Sequence, residues 1–254
     1  MTNFSLMTIY DNQFVIRALV APCYSKPSFT SSKTTEAIYG ETVRVVDIKN
    51  DWLFIKQDDG YESWIKDFYG TFEKMPFKSQ FMVVEKNPFP FGSRLTYKND
   101  KYITVNGEEY KFKKKPARLF PEMKQIKSLL NNARSLIGCP YRWGGKTSLG
   151  FDCSGFVQTV YLSIGLLLPR DSWQQSDYFK NQKIDADISK PGDLHFFGKK
   201  GKVSHVGIST GGNNIIHCQG WVKEESFSGS GKKINVSLAD MYMHTCSVEL
   251  NFNT

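Results

Sequence analysis

The stretch Gly150-Phe151-Asp152-Cys153-Ser154-Gly155-Phe156 leads directly into the segment on which the interpretation of the whole chain depends. After the cysteine, apolar residues recur at helical spacing. They are Phe156, Val157, Val160, Tyr161 and Ile164. Gly165 follows where a left-handed C-terminal cap belongs. The pattern predicts a buried helix with Cys153 in its first turn and Asp152 as its N-cap.

A cysteine at the start of a helix is favourably placed for chemistry. Unpaired backbone N–H groups and the positive end of the helix dipole stabilise a thiolate relative to a thiol, and a sulfur nucleophile reacts as the thiolate. We therefore expect the sulfur of Cys153 to be ionised at neutral pH if an imidazole lies beside it. A lone cysteine in this position is more often a plain buried residue. Other residues of the chain must therefore indicate whether Cys153 is a nucleophile.

Two of the four histidines have the spacing that such a site requires. His205 and His217 lie in runs typical of strands, and Ser209-Thr210-Gly211-Gly212-Asn213 between them contains turn-forming residues. A reversal centred on Gly211 puts both histidines on one face and nearly opposite each other. A two-residue loop would send one of them to the other face. We therefore expect an odd-length loop or a β-bulge.

These residues together predict a nucleophilic site. Cys153 would be the nucleophile, His205 the general base and acid, and His217 the residue that orients the ring of His205. Taken singly, each histidine is more often a packed strand residue. A metal site that adds Cys218 is a third interpretation, but the metal-binding Cys-x-x-Cys and His-x-x-x-His spacings are missing.

At this point the chain resembles a known family. Its ordered motifs are Pro140-Tyr141-Arg142-Trp143-Gly144-Gly145, Phe151 to Phe156, Pro169-Arg170-Asp171-Ser172, Pro191-Gly192-Asp193-Leu194, Ser204 to Ile208 and Ile216-His217. They resemble those of the NlpC-type cysteine peptidases, papain-like bacterial enzymes that cut cell-wall peptides. The resemblance covers roughly residues 122–254. It implies an α+β catalytic domain in which helices pack on an antiparallel sheet.

The first part of the chain has the pattern of small all-β domains. Strand patterns at 41–48, 52–56 and 61–65 are separated by turns. Three motifs resemble the bacterial SH3-like domain: Gly40-Glu41, Asp51-Trp52 and Gly60-Tyr61-Glu62-Ser63-Trp64-Ile65. A second all-β piece has strand patterns at 80–84, 94–97, 101–105 and 108–112, with turns at Asn99-Asp100 and Asn106-Gly107. We therefore predict an SH3-like barrel over 1–72, a short second SH3-like region and linker over 73–118, and the catalytic domain over 119–254.

The catalytic region should begin with a helix and end with strands. An apolar face recurs from Pro121 to Ile137, which predicts a helix that packs beside the helix of Cys153. Strands are expected at 194–197, 203–208, 214–219 and 247–250. Helices first and antiparallel strands afterwards is an α+β arrangement.

Composition bears on the compartment and the partners. Met1 to Thr8 lacks the basic start and apolar run of a signal peptide, and the chain has no apolar run long enough to span a membrane. The five cysteines are an odd number without disulfide-framework spacing, which favours a reducing compartment. We expect a cytoplasmic monomer. Although the net charge is +8, no nucleic-acid motif accompanies the lysine clusters, so we expect neither a nucleic-acid nor a membrane partner.

SH3-like elements before an NlpC-type domain also resemble the dipeptidyl-peptidase VI group. These are γ-D-glutamyl-L-diamino acid endopeptidases that recycle cell-wall peptides. The resemblance implies a substrate with a free N-terminal L-alanine, in which the diamino acid is diaminopimelate or lysine. It also implies catalysis without a metal or an organic cofactor.

The same resemblance assigns further site residues. Asp152 and Tyr61 would bind the free amine, and Ser154 and Ser172 the D-glutamate. Glu36 is the candidate for an acidic partner of the amine in the first barrel. Each residue also has a structural interpretation, since Asp152 can serve as a cap, Ser172 can begin a helix, and Tyr61 and Glu36 can be ordinary barrel residues.

An oxyanion formed during attack on a peptide carbonyl needs hydrogen-bond donors that are already in place. The backbone N–H of Cys153 is one candidate, and by resemblance the Tyr141 hydroxyl is another. Tyr141 can equally be a packing residue before a turn. Two other functions stay open: a papain-like amidase or acyltransferase, and a non-catalytic wall-binding protein that acts through its SH3-like modules.

Overall fold

The structure is a computed structural model that describes residues 12–86, 88–120, 126–229 and 234–248. It divides into two compact units, Met1–Ala117 and Arg118–Thr254. The predicted boundary near residue 72 stays a prediction. The expectations for Met1 to Thr8, for 121–125 of the predicted first helix and for Glu249 and Leu250 lie outside the described residues.

The first unit begins with a seven-stranded sheet. Its strands are β1 (Gln13–Ile16), β2 (Val20–Tyr24), β3 (Lys33–Ile38), β4 (Thr42–Lys49), β5 (Trp52–Lys56), β6 (Glu62–Lys66) and β7 (Gly70–Phe72), in the order β3-β2-β6-β5-β4-β1-β7. Alternate residues of β4 and β5, such as Val43, Val45, Leu53 and Ile55, are buried in one apolar cluster. The three strands predicted between residues 41 and 65 correspond to β4, β5 and β6.

A second, five-stranded sheet follows along the chain. It consists of β8 (Phe81–Met82), β9 (Arg94–Lys98), β10 (Lys101–Ile103), β11 (Glu109–Tyr110) and β12 (Ala117–Arg118), in the order β11-β10-β9-β8-β12. Asn99 and Asp100 form the β9–β10 turn with φ angles of 50° and 62°. The strands are shorter than the sequence pattern predicted, since the strand expected at 80–84 extends only over β8.

Over its described residues, the second unit combines four helices with a six-stranded antiparallel sheet. Its helices are α1 (Ile126–Ser135), α2 (Cys153–Leu162), α3 (Ser172–Tyr178) and α4 (Val236–Ala239). Its strands are β13 (Lys146–Thr147), β14 (Gly150–Phe151), β15 (Lys183–Ile184), β16 (Leu194–Lys199), β17 (Lys202–Gly211), β18 (Asn214–Gln219), β19 (Trp221–Ser226) and β20 (Tyr242–Cys246). The sheet order is β15-β20-β16-β17-β18-β19, and β13 pairs with β14 alone. The predicted α+β class is confirmed.

Helix α2 is the centre of this unit. All ten of its residues are buried, and it packs on β17 and β18. Gly165 ends the helical region with a φ of 84°, as predicted. Helix α1 contacts α2, also as predicted, and Asn132 donates a hydrogen bond of 2.8 Å from its side chain to the Ser163 hydroxyl.

Glycine allows the loop before α2 to lie against the helix. A Cβ added to Gly155 would lie 2.1 Å from the Gly145 carbonyl oxygen, which is closer than atoms can approach. A side chain at position 155 would therefore push the first turn of α2 away from the Gly144-Gly145 loop. This contact explains why glycine follows the Asp-Cys-Ser sequence.

The C-terminal strand is the main difference from the sequence-based prediction. A strand was expected at 247–250, whereas the last strand within the described residues, β20, spans Tyr242–Cys246. Val248 lies beyond it and donates its backbone N–H to Asp193 instead of joining the sheet. The described half of the predicted strand, Ser247 and Val248, is therefore not a strand. Among the described residues, no helix is long and apolar enough to cross a membrane.

Candidate active site

Cys153 is the first residue of α2, and Asp152 caps the helix, as predicted. The Asp152 carboxylate accepts the backbone N–H of Gly155 at 2.6 Å. This bond satisfies one of the amide groups that a helix start leaves unpaired. The cap therefore fixes the backbone from which the sulfur projects.

A buried arginine holds the cap. Arg170 is 1% exposed and donates to both oxygens of Asp152, at 2.6 and 3.1 Å. It also donates to the Ser154 hydroxyl at 3.1 Å. A two-point arginine–carboxylate bond fixes both position and orientation. The Arg-Asp-Ser motif therefore contributes a structural clamp, which the sequence analysis did not identify.

The Cys153 sulfur lies against the strand that carries His205. Its thiol donates to the Ser204 carbonyl oxygen over 3.9 Å, and the backbone N–H of Val206 donates to the sulfur. These two residues flank His205 in β17. The predicted nucleophile and the predicted base strand are therefore brought together.

The two histidine rings are hydrogen-bonded. His205 Nε2 and His217 Nδ1 are 2.8 Å apart, and both residues are at least 90% buried. Strand β17 pairs with β18 with a register shift between Ser209 and Gly211, which is the bulge expected from the sequence. The register pairs Ile208 with Ile216, so His217 lies opposite Gly207 rather than His205. The side chains still share one face because the offset is two residues.

Gly207 makes room for this pair. A Cβ added at Gly207 would lie 2.7 Å from the His217 Cβ and 2.4 Å from the Ile215 side chain. The glycine between the two histidine positions therefore allows the rings to meet across the strands.

A carboxylate lies beyond the second histidine. Glu225 of β19 is 3.0 Å from His217 Nε2, through its Oε2 atom. The same oxygen accepts from the Asn235 amide at 2.7 Å, and Oε1 lies 3.2 Å from Lys223 Nζ. Glu225 was not predicted as a site residue because no strand was predicted at β19. The run from Trp221 to Ser226, directly after Gly220, was the available signal, but such an edge strand has only weak alternation.

The protonation state of Cys153 differs from the thiolate that was expected from the sequence. Burial, followed by the nearby Asp152 carboxylate, raises the pKa of Cys153 to about 11, although the amides of Ser154 and Val206 act in the opposite direction. Burial, followed by the charges of His217 and Lys223, lowers the pKa of His205 to about 3. Without substrate, both groups are therefore neutral at pH 7. The helix dipole was correctly identified, but burial outweighs it.

Tyr141 is partly buried in the same unit and bridges to Phe151, next to the cap residue. Burial raises the pKa of its phenol, and the neighbouring Cys153 and Asp152 raise it further. The hydroxyl therefore stays a hydrogen-bond donor at neutral pH. Its role at the oxyanion stays a prediction.

The residues assigned to substrate already have structural partners. Asp152 and Ser154 belong to the Arg170 clamp, and Ser172 is the buried first residue of α3, with Asp171 as its N-cap. In the first unit, Glu36 is buried and accepts from Lys33 Nζ at 2.5 Å, while Tyr61 is partly exposed before β6. All five substrate-binding assignments stay predictions.

A thiol at the start of a buried helix, set against an antiparallel sheet that carries paired imidazoles, defines the class of papain-like thiol peptidases. Residues 138–238 match the NlpC/P60 family, and residues 23–67 match the bacterial dipeptidyl-peptidase Sh3 domain. The chain therefore has an NlpC/P60 domain, preceded by a bacterial SH3 domain. This confirms the resemblance identified from the sequence motifs.

Similar proteins extend over most of the chain. A γ-D-glutamyl-L-lysine dipeptidyl-peptidase of Bacillus cereus is 29% identical over 72% of this chain and 66% of its own length. The protein of the same name from Bacillus subtilis is 28% identical over 72% of this chain and 71% of its own. The chain thus spans about two thirds of the length of these relatives. The crystal structure of an NlpC/P60 family protein from Bacillus cereus has the same fold, with a TM-score of 0.78 at 22% identity, covering 92% of this chain and 99% of that one.

Proposed function

We propose that this protein is a cysteine endopeptidase that hydrolyses the γ-D-glutamyl-L-diamino acid bond of cell-wall peptides with a free N-terminal L-alanine. The observation that supports the reaction most directly is the bonded pair of His205 and His217, with the Cys153 sulfur against the backbone of the strand that carries His205. The names of the two Bacillus relatives support the substrate, with lysine as the diamino acid.

The chemistry begins with a neutral pair. The Cys153 thiol passes its proton to His205 as the sulfur attacks the γ-glutamyl carbonyl carbon, so the charges arise only during the reaction. The backbone N–H of Cys153 and the Tyr141 hydroxyl stabilise the resulting oxyanion. His205 then protonates the leaving amine and activates the water that hydrolyses the thioester.

The direct test is hydrolysis of defined tripeptides followed by mass spectrometry. The substrates are L-Ala-γ-D-Glu-L-Lys, its diaminopimelate counterpart and the N-acetylated form of each, with Cys153→Ala as control. The proposal expects release of the free diamino acid from the unblocked peptides and little cleavage of the acetylated ones. Equal cleavage of both forms would exclude the free-amine requirement. If wild type and Cys153→Ala leave every peptide intact, the proposed activity is wrong.

We also propose that the protein acts in the cytoplasm, in the recycling of released cell-wall peptides. All five cysteines are buried free thiols, which suits a reducing compartment. Fractionation of cells that produce the tagged chain checks this: recovery with a cytoplasmic marker enzyme would support the proposal, and recovery from the medium or envelope would contradict it.

A further inference from the structure

His205, His217 and Glu225 are joined by successive hydrogen bonds, and this series ends on the Glu225 carboxylate. From the sulfur outward, the chain of groups is Cys153 beside β17, His205, His217 and Glu225. His205 reaches His217 through its Nε2 atom, and His217 uses Nδ1 toward His205 and Nε2 toward Glu225. The direction of every bond in this series can therefore be worked out from its far end.

Asn235 fixes that far end. Its side-chain oxygen accepts the Leu238 backbone N–H at 3.1 Å as the N-cap of α4, so its NH₂ group must face Glu225, 2.7 Å away. Lys223 adds a positive charge at the other oxygen of Glu225. Burial opposes ionisation of Glu225, but hydrogen bonds from Asn235, His217 and Lys223 lower its pKa. Glu225 is therefore an anion at neutral pH and can only accept hydrogen bonds.

An acceptor at Glu225 determines both tautomers. His217 must carry its proton on Nε2 to donate to Glu225, and its Nδ1 is then a lone pair when the ring is neutral. That lone pair requires His205 to donate through Nε2–H. His205 is then left with an unprotonated Nδ1, the form that a base for the Cys153 thiol requires.

We propose that Glu225 is a positioning residue of the thiol site: through His217 it fixes the tautomer of His205 that can accept the Cys153 proton. It touches neither substrate nor sulfur and acts only through the two rings. The kinetic part of this inference rests on the proposed peptidase function. The tautomer part does not.

The test uses the full chain and three variants. Glu225→Leu removes the acceptor, Glu225→Gln keeps an uncharged acceptor, and Glu224→Gln is the matched control. Glu224 is the next residue of the same strand, and its carboxylate pairs with Arg134 instead of His217. Glu225 is on an edge strand and its side chain is 24% exposed, so Glu225→Ala should fold and replaces the leucine variant if that one does not.

The first measurement is a long-range ¹H–¹⁵N spectrum of histidine-labelled protein, which reports the protonated nitrogen of each ring without substrate. Wild type, Glu224→Gln and Glu225→Gln should show His205 and His217 protonated at Nε2. Glu225→Leu should show a second population with the proton at Nδ1. If the ring spectra of wild type and Glu225→Leu are the same, the proposal is wrong, whether or not the protein hydrolyses the peptides.

The second measurement is reactivity at pH 7. Loss of an orienting partner should lower kcat of Glu225→Leu about 10- to 100-fold with KM unchanged, and should lower the rate of Cys153 alkylation by iodoacetamide. Glu225→Gln should recover most of this loss. Unchanged kcat and alkylation in Glu225→Leu would overturn the positioning role. If wild type cleaves no peptide while the spectra and alkylation change as expected, only the proposed substrate is wrong.

Discussion

Each unit of the molecule buries a cysteine that is in no disulfide, but the two sulfurs have different surroundings. Cys23 lies in β2 within the apolar cluster of the first sheet, 3.6 Å from the Ala21 carbonyl oxygen of its own strand. Cys153 begins a helix, and its sulfur lies between the backbone groups that flank His205. The second sulfur therefore lies against the strand that carries His205, whereas the first lies within an apolar strand cluster.

This difference shows that burial alone does not decide what a cysteine does. Both residues are less than 9% exposed, and the chain buries all five of its cysteines. What distinguishes Cys153 is its place at a helix start and its packing against β17. The predictions below test that distinction.

The largest expected effect is on peptide hydrolysis. Cys153→Ala should lower kcat/KM by about 10⁴-fold or more, because no other nucleophile replaces the sulfur. Cys23→Ala should leave kcat/KM within about twofold and cost about 1 kcal/mol of unfolding free energy, the typical order for a small core cavity. Hydrolysis of the γ-glutamyl tripeptide and urea unfolding measure the two effects. Equal loss of activity in both variants would remove the distinction between the sulfurs.

The next effect concerns the charges around the start of α2. Arg170→Met would leave the buried Asp152 carboxylate without the guanidinium group that neutralises its charge. This change should destabilise the second unit by about 3–5 kcal/mol. Arg134→Met removes an ion pair with Glu224 in which the two side chains are 47% and 34% exposed. Loss of this pair should lower the unfolding free energy by less than about 1 kcal/mol. Urea unfolding of both variants provides the measurement. Similar losses of unfolding free energy in the two variants would mean that the ion pair of Arg170 and Asp152 stabilises the fold no more than an exposed ion pair does.

Much of the second unit was predictable because its signals are local. The apolar spacing after Cys153 and the glycine at 165 predicted α2, and the turn between the two histidine strands predicted the bulge that puts both rings on one face. The three central strands of the first sheet were predicted for the same reason, since each has a short apolar pattern between turns.

What the sequence did not reveal depends on contacts between distant residues. Arg170 binds Asp152 from 18 positions away, and Glu225 belongs to an edge strand that has little alternation. The pKa of Cys153 was misjudged because its burial depends on the whole domain, whereas the helix dipole can be inferred from local sequence. No strand was predicted at β20, because Tyr242 to Cys246 mixes polar and apolar residues.

A third prediction concerns the ionisation of Cys153. Because its pKa is raised to about 11, the thiolate should be scarce at pH 7 and should form only as the pH approaches that value. Thiolate absorbance near 240 nm, taken as the difference between wild type and Cys153→Ala, measures this across pH 5 to 11. An absorbance difference already present at pH 7 would mean that Cys153 and His205 form an ion pair in the free protein, as the sequence had suggested.

The smallest expected effect is a difference between the two units in how their unfolding free energy depends on pH. All four histidines lie in the second unit, and burial lowers the pKa of each, to about 4 for His195 and about 3 for His205. Unfolded histidines bind protons below about pH 6.5, whereas these rings stay neutral in the folded chain. The unfolded state therefore binds more protons between these values, and the unfolding free energy falls as the pH falls.

From pH 6.5 to 5 the second unit should lose roughly 2–3 kcal/mol through its two most shifted rings, and the first unit should lose none by this mechanism. Hydrogen exchange read by mass spectrometry, on peptides from β5 and α2, compares the units in one sample after correction for intrinsic exchange rates. An equal loss in both units would mean that acid acts through groups other than the buried histidines. No loss at α2 would mean that these rings take up protons in the folded chain, which would contradict the neutral His205 on which the proposed thiol-to-imidazole proton transfer depends.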